Sequence, residues 1–334
     1  MQKVSLLAVT AVLCVHAAIP AAIEGMMEAG HWKRVRALAD DRLRANPNDA
    51  FALYLSSKVA ASFGDLEKGL SRAQRAVSLD PHNPDYLAQL AEMHARLADR
   101  VSVVKQVIYV RALHKEIDAA LAVDPKNLYA YLVEIMFLSK APMLAGGDRK
   151  RAHALAEELT RFNPGWGYMA QARLGEQEKD DPKIERALNN AVAAVPSSYE
   201  ARYYLAKFYC CVASNRKLDA AERVAREAIK LDPNQSGGYQ ILARVFAYRQ
   251  RWADMEAILH EAEVHVPEDL SPYYYAANTL FEQGKDFERA ERFLRKYLSQ
   301  EPEGRQPTAL EGRQLLARVA SSPADAQAAY YGSR

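Results

Sequence analysis

Proline returns on a near-fixed period, at Pro47, Pro81, Pro125, Pro164, Pro196, Pro233, Pro267 and Pro302, with intervals of 34, 44, 39, 32, 37, 34 and 35 residues. Each is preceded by Asp, Asn, Val or Glu and lies between stretches patterned for helix. Proline pushes the residue before it out of the helical region and has no amide to give a helix interior, yet it suits the first turn of a new helix. Each one therefore ends a helix and admits the next. A period of roughly 35 residues is the signature of a stacked repeat array.

Positions counted from those prolines carry the same signal. Five residues upstream stand Ala76, Ala120, Ala191, Ala228 and Ala262, with Arg42, Leu159 and Tyr297 as exceptions. Twelve upstream are Gly69, Ala152, Ala221 and Ala290. Small residues let two helices approach closely, because interaxial distance follows side-chain size at the crossing. The partner face is carried by Leu90-Ala91, Leu205-Ala206, Leu242-Ala243 and Ala276-Ala277, nine and ten residues after a proline. Gly30, Gly64 and Gly284 mark the turn inside a unit, each followed within three residues by Trp32, Leu66 or Phe287.

Nothing in the composition opposes this. Of 334 residues 49% are hydrophobic and 26% charged, an ordinary folded composition. Ala, Leu, Arg, Glu and Lys recur at three- and four-residue spacing, and no period-two run is sustained, so the chain is expected to be almost entirely helical. With 44 basic and 42 acidic residues, the overall balance implies no strong field for nucleic acid or acidic lipid.

The units resemble tetratricopeptide repeats: small residues at both crossings, a Gly turn, then Trp32, Leu66, Trp252 or Phe287, and a closing proline. The likeness covers about residues 20–304. It implies an all-α fold, a right-handed superhelical α-solenoid of about eight helix hairpins plus a C-terminal capping helix, with a polar outer side facing solvent. Two departures sit in the middle, at residues 97–112 and 140–150, where the intervals stretch to 44 and 39. Together they resemble a group of exported bacterial tetratricopeptide proteins with an "AP…GGD…A" segment, here "APMLAGGDRKRA".

Residues 1–18 stand apart. "MQK" is a cationic head, "VSLLAVTAVLCV" an uncharged apolar run, and "HAAIPAA" offers small residues for cleavage, the three-part pattern of a secretory signal. Twelve apolar residues are too few to span a bilayer comfortably. Leu13 is too bulky for Cys14 to be a lipid-attachment site. The expected organisation is a signal peptide at 1–18, a solenoid at 19–304, and a capping helix with a flexible tail at 305–334. That makes the product exported, with the bacterial periplasm the expected compartment, and without a transmembrane segment after signal removal.

Several motifs look chemical. "GWGYMA", Gly165 to Ala170, has dinucleotide-loop glycines but follows a helix and Pro164 instead of a strand. "SNRK", Ser214 to Lys217, spells a penicillin-binding nucleophile motif without its Ser-Asp-Asn and Lys-Thr-Gly companions. His260 and His265, five apart on a helix, point roughly 140° away from each other. His94, His114 and His153 fall in different helices and read as surface or half-buried histidines. Cys210 and Cys211 are adjacent and cannot easily bridge, so they read first as small packed residues and second as a redox or metal pair. "GGDRKRAH" concentrates Arg149, Lys150 and Arg151 at a solvated helix start, with an acidic docking partner as the other reading. No cofactor or metal is expected.

In a stacked array the first helix of each unit lines the concave wall. Positions seven and eleven after each proline project together there. They give Tyr54, Lys58, Glu92, Met136, Gln171, Tyr203, Lys207, Gln240, Arg244, Tyr274 and Asn278 as expected partner-binding residues. Tyrosine offers area and a hydroxyl, while Lys and Arg meet carboxylates or peptide carbonyls. The tetratricopeptide co-chaperones that grip a C-terminal carboxylate carry a Lys and Asn pair on their first unit. Here Tyr54 with Lys58 and Tyr203 with Lys207 stand instead, so that clamp does not carry over. The expected function is a non-catalytic scaffold that holds a protein or peptide in its groove and binds no nucleic acid. The alternative is a small-molecule or lipid carrier whose pocket the central insertions shape.

Overall fold

The computed structural model describes residues 19–304 and 306–321, the side chains of Val103 and Val104 excepted. The expected signal at 1–18 and most of the expected tail lie outside the described residues. Among the described residues every element is helical. The chain runs as eight consecutive hairpins: α1 (Ala21–Ala29) with α2 (Trp32–Ala45), α3 (Ala50–Ser62) with α4 (Leu66–Leu79), α5 (Pro84–Ala98) with α6 (Val103–Val123), and α7 (Leu128–Lys140) with α8 (Arg149–Phe162). They continue as α9 (Pro164–Glu178) with α10 (Asp181–Ala194), α11 (Tyr199–Lys207) with α12 (Leu218–Leu231), α13 (Ser236–Tyr248) with α14 (Trp252–His265), and α15 (Ser271–Glu282) with α16 (Phe287–Tyr297). A last helix, α17 (Ala309–Ala320), packs on α16 and α15. This is the expected all-α solenoid with its capping helix.

The prolines work one step earlier than their helix-start preference alone implies. Pro47, Pro81, Pro125, Pro196 and Pro233 each occupy a tight turn, and the residue two further on caps the next helix. In the first four of these the cap is Asp49, Asn83, Asn127 or Ser198, whose side chain accepts an amide of the first turn. The turn itself is closed by a backbone bond, as from Asp49 N–H to Asn46 O at 3.0 Å. Pro164 alone of the eight stands inside the first turn, with Asn163 as cap.

The small residues are where helices touch. Ala76, Ala120, Ala191, Ala228 and Ala262 are buried, and so are Ala152, Ala221 and Ala290. A Cβ on Gly69 would come within 2.8 Å of the Met93 sulfur, so α4 and α5 meet with no room for a methyl group. "GWGYMA" proves to be such a contact: it opens α9, where a Cβ on Gly167 would sit 2.4 Å from the Thr160 backbone of α8. Most first helices also pack on the next first helix, as α5 on α7 and α13 on α15, so the core is a seam along the array. Gly30, Gly64 and Gly284 take positive φ between the helices of a hairpin; Lys179 and Gln250 do the same in two units without glycine.

The departure at 97–112 is mostly helix. α5 continues to Ala98, and α6 has 21 residues against 14 in α2, α4, α8, α10, α12 and α14. The second departure is a compact loop: a 3-10 turn at Met143–Ala145, then Gly146 and Gly147, with Asp148 N–H bonded to Leu138 O at 2.9 Å and its carboxylate capping α8.

Gly167→Ala separates two opposed effects. Alanine favours an exposed helix interior by roughly 0.5–1 kcal/mol over glycine, but backbone at 2.4 Å cannot yield, and overpacking costs about 1–3 kcal/mol. The urea midpoint is expected to fall; an unchanged or higher midpoint would show that α8 and α9 are not held this closely.

Candidate functional site

The inner face carries three adjoining hollows. A cavity of about 540 Å³ opens between α5 and α7, lined by Glu92, Arg96, Tyr129, Leu132 and Met136. Leu132 and Met136 also wall a second space of about 170 Å³ against Trp166, Arg173 and Tyr204. Tyr204 in turn borders a third, of about 180 Å³, with Tyr199, Tyr203, Gln240 and Tyr275. The shared residues make the three hollows one run along successive first helices.

Polar groups in the first hollow are tied to one another. Tyr129 Oη lies 2.6 Å from Gln89 Oε1 and also meets the Glu92 carboxylate. Gln89 Nε2 donates to Ser57 Oγ at 2.9 Å, which donates to the Gly69 carbonyl at 2.8 Å. Lys58 Nζ stands 3.7 Å from the Tyr129 ring centroid, and Arg96 pairs with Glu92 at 2.5 Å. Burial would raise the Glu92 carboxyl, but Arg96 and Lys58 hold it below the usual carboxylate range. The mouth therefore carries a fixed carboxylate between two cations, beside apolar Leu132 and Met136.

The third hollow is aromatic, with the carboxylates of Glu28, Glu200, Asp269 and Glu303 in its lining and cations behind its tyrosine rings. Tyr199 stacks on Tyr203 at 6.3 Å, and Tyr203 leans on Tyr204 at 5.2 Å. Arg173 and Lys207 approach the Tyr204 ring at 5.3 and 5.9 Å, and Arg244 approaches Tyr275 at 5.6 Å. A Cβ on Gly237 would fall 2.7 Å from the Tyr203 ring, so this tyrosine lies flat across α13. Burial pushes the Tyr203, Tyr199 and Tyr275 phenols up, so all three are neutral hydrogen-bonding groups near neutral pH.

Of the residues chosen by spacing, Glu92, Met136, Tyr203 and Gln240 line these hollows. Tyr54 does not present a wall: it is 2% exposed and packs on Phe51 and Tyr86, because α3 turns this position into the seam. Gln171 turns into its own hairpin, donating to Thr160 Oγ1 at 2.9 Å. Tyr274 packs on Tyr297, and Asn278 donates to Glu282 at 2.7 Å. Spacing missed Tyr129, Tyr204, Tyr275 and Arg173. Three of them stand four or eight residues after a proline, one helical step beside the chosen stripe, so a wider arc would have included them.

The other motifs resolve into packing and ion pairs. His94 is buried against Glu116 at 2.7 Å, a partner invisible to sequence spacing because it comes from the facing helix. His153 meets Glu178 at 2.6 Å, and His265 stacks on Tyr239. In "SNRK", Lys217 pairs with Glu185 at 2.7 Å. Cys210 and Cys211 lie in a π-helical turn, Phe208–Val212, that extends α11; both thiols are free, with Cys210 buried. The hydrogen bond between them raises the Cys210 thiol and lowers that of Cys211, which Arg244, Lys207 and Arg216 also favour as thiolate. Among the described residues no three His, Cys, Asp or Glu gather as a metal site, and no helix is long and apolar enough to cross a membrane.

Sequence spacing also missed that the two ends of the array meet. Arg36 makes a two-pronged pair with Glu301, Nη2 at 2.6 Å and Nη1 at 3.1 Å. Lys33 N–H donates to Glu303 at 2.8 Å, while its ammonium donates to the carbonyls of Glu268 and Glu301 at 2.7 Å. Arg34 pairs with Glu268 at 2.6 Å, and Gly304 lies against the Phe63 ring. The third hollow is consequently bordered on its far side by Glu28 and Gly30 at the end of α1 and by Pro302 and Pro307.

Burial pushes the Glu303 carboxyl up to about 7, beyond what Lys33 recovers. A carboxyl raised in the folded state favours closure while protonated, and that contribution is lost as pH rises through about 7. The Glu303→Gln variant keeps an acceptor for the Lys33 amide without the charge. Its melting temperature is expected to match the parent near pH 5 and exceed it at pH 8. An equal gap at both pH values, or one of opposite sign, would refute this account of the contact.

No family model matches this sequence, and no curated protein matches it. Solved structures do. Yeast Tom70 aligns with a TM-score of 0.54 at 14% identity, over 92% of this chain and 63% of its own, so this chain spans less than two thirds of it. The human IFIT1 dimer with m7Gppp-AAAA aligns at 0.50 and 14% identity, over 86% and 67%. A tetratricopeptide repeat protein from Parabacteroides merdae aligns at 0.46 and 16% identity, over 81% and 99%. The chain is thus similar in fold to the first two, and its own helix order is that of a tetratricopeptide-like solenoid.

Proposed function

We propose that the chain is a non-catalytic interaction scaffold that holds an extended protein or peptide segment along its inner face. The observation that carries this reading is the run of three hollows, lined by Tyr129, Tyr199, Tyr203, Tyr204 and Tyr275 and by apolar Leu132 and Met136, with Arg173 in the second and Lys207 and Arg244 beside the tyrosine rings. Rigid aromatic area flanked by cations recognises peptide backbone and carboxylates without a reacting centre. Within this reading the contact residues are Lys58, Glu92, Met136, Tyr203, Lys207, Gln240 and Arg244, joined by Tyr204 and Tyr275; Tyr54 and Gln171 support them from behind, and Tyr274 and Asn278 lie outside the hollows. The leader-like residues 1–18 and the "AP…GGD…A" segment support reading the scaffold as an exported bacterial protein that works in the periplasm.

Cross-linking and pull-down from the envelope fraction of the native host is the direct experiment. One protein is expected to be captured repeatedly, and Lys207→Glu with Arg244→Glu is expected to release it by at least about tenfold, the loss of roughly 1.5–3 kcal/mol per charged hydrogen bond. Unchanged capture by the double variant would remove the groove assignment.

The 540 Å³ cavity supports a second reading, a small-molecule or lipid carrier, because it lies beside the central departures at Asp99, Arg100, Lys140 and Ala141. A bound small molecule seen by native mass spectrometry, with no protein captured, would favour it.

A further inference from the structure

The central departures also build an outer surface that the groove does not use. Among the described residues nine large apolar side chains are exposed, and four of them are Val107, Ile108, Met143 and Leu144. Ile108 is 67% exposed, Met143 86%, and Leu144 fully. The four share one edge. A Cβ on Gly146, which ends the 3-10 turn, would lie 3.4 Å from Val110 of α6, one helical turn from Val107. The five remaining exposed apolar chains, among them Leu79 and Val264, lie elsewhere along the chain, as expected of an ordinary surface.

Around this knob the charge is one-sided. Residues 100–115 carry Arg100, Lys105, Arg111 and Lys115 and no carboxylate; residues 140–151 carry Lys140, Arg149, Lys150 and Arg151 against Asp148 alone. The two segments thus hold eight cations and one acid, a surplus of seven in a chain whose total surplus is two. All eight cations are exposed, and Arg151 alone is drawn inward, to Glu134 at 2.5 Å. The overall balance conceals this local field.

We infer that this edge is a docking surface for an anionic lipid membrane, with Ile108, Met143 and Leu144 entering the interface and the surrounding cations meeting the headgroups. The chemistry separates this occupant from others. A second copy placed on the same patch would oppose two surpluses of seven. Protein hot spots rest on Trp, Tyr and Arg in fitted pockets and seldom on Leu or Val, whereas fluid hydrocarbon needs only protruding aliphatic area and charge. Phe137, Lys140 and Ala141 near this edge also line the 540 Å³ cavity, but the inference does not depend on what that cavity or the groove holds.

Co-sedimentation of the full chain with vesicles tests this, comparing phosphatidylcholine alone with phosphatidylcholine containing about 30% phosphatidylglycerol. The parent is expected to bind the anionic vesicles at least about tenfold better, less so at raised salt. Met143→Ser with Leu144→Ser is expected to weaken binding by about tenfold or more, and Arg149→Glu with Lys150→Glu to abolish the preference for anionic lipid. All four positions are exposed, so unchanged circular dichroism and melting temperature confirm that each variant is folded. Residues 1–18 are the same in every sample, so the differences read the knob. No binding by the parent, or equal binding by parent and variants, overturns the inference. So does a dimer in sedimentation velocity that Leu144→Ser dissolves, or an acidic protein captured at the knob in place of vesicles.

Discussion

Close approach of helices at alanine and glycine holds the rest of the molecule in place. Ala76, Ala120, Ala191, Ala228 and Ala262 are buried in second helices, which pack on the next unit's first helix, most closely as α4 on α5 and α12 on α13. Side-chain size sets interaxial distance, so the same residue type at the same position repeats the same step from unit to unit. Repetition of one step is what turns hairpins into a coil, and a coil has an inner face.

Two kinds of interaction then act on that face with different reach. Within the wall, buried tyrosines and their cations are fixed by neighbours from the adjacent helices, as Tyr203 is by Gly237 and Tyr129 by Gln89 and Glu92. Such groups are ordered before a ligand arrives, which lowers the entropy lost on binding. Across the ends, Arg36, Lys33 and Arg34 meet Glu301, Glu303 and Glu268, joining the first hairpin to the chain on both sides of the last. Partly exposed ion pairs contribute little individually, but here the Lys33 amide and ammonium also satisfy carbonyls and a buried carboxylate.

The central departures break the repeat and change the surface. Lengthening α6 to 21 residues and placing Met143–Ala145 in a 3-10 turn carries apolar side chains outward near residues that line the largest hollow. Their cations are near neighbours in sequence, yet they form one field only because α6 packs on that turn.

What the sequence determined by itself was local and periodic. The prolines, caps, crossing alanines and turn glycines are read within one or two units, so hairpin number, helical class and the capping helix were legible. Part of the wall was legible too: Glu92, Met136, Tyr203 and Gln240 fell where proline spacing put them. Only the tertiary structure decided the burial of Tyr54, the inward turn of Gln171, and the place of Tyr129, Tyr204 and Tyr275 in the lining, because small rotations of each helix choose among neighbouring stripes. It alone also brought Lys33 to Glu303, 270 residues away, and Glu116 to His94. Contacts at such separation depend on the accumulated rotation of every unit between them, and no window of sequence contains that sum.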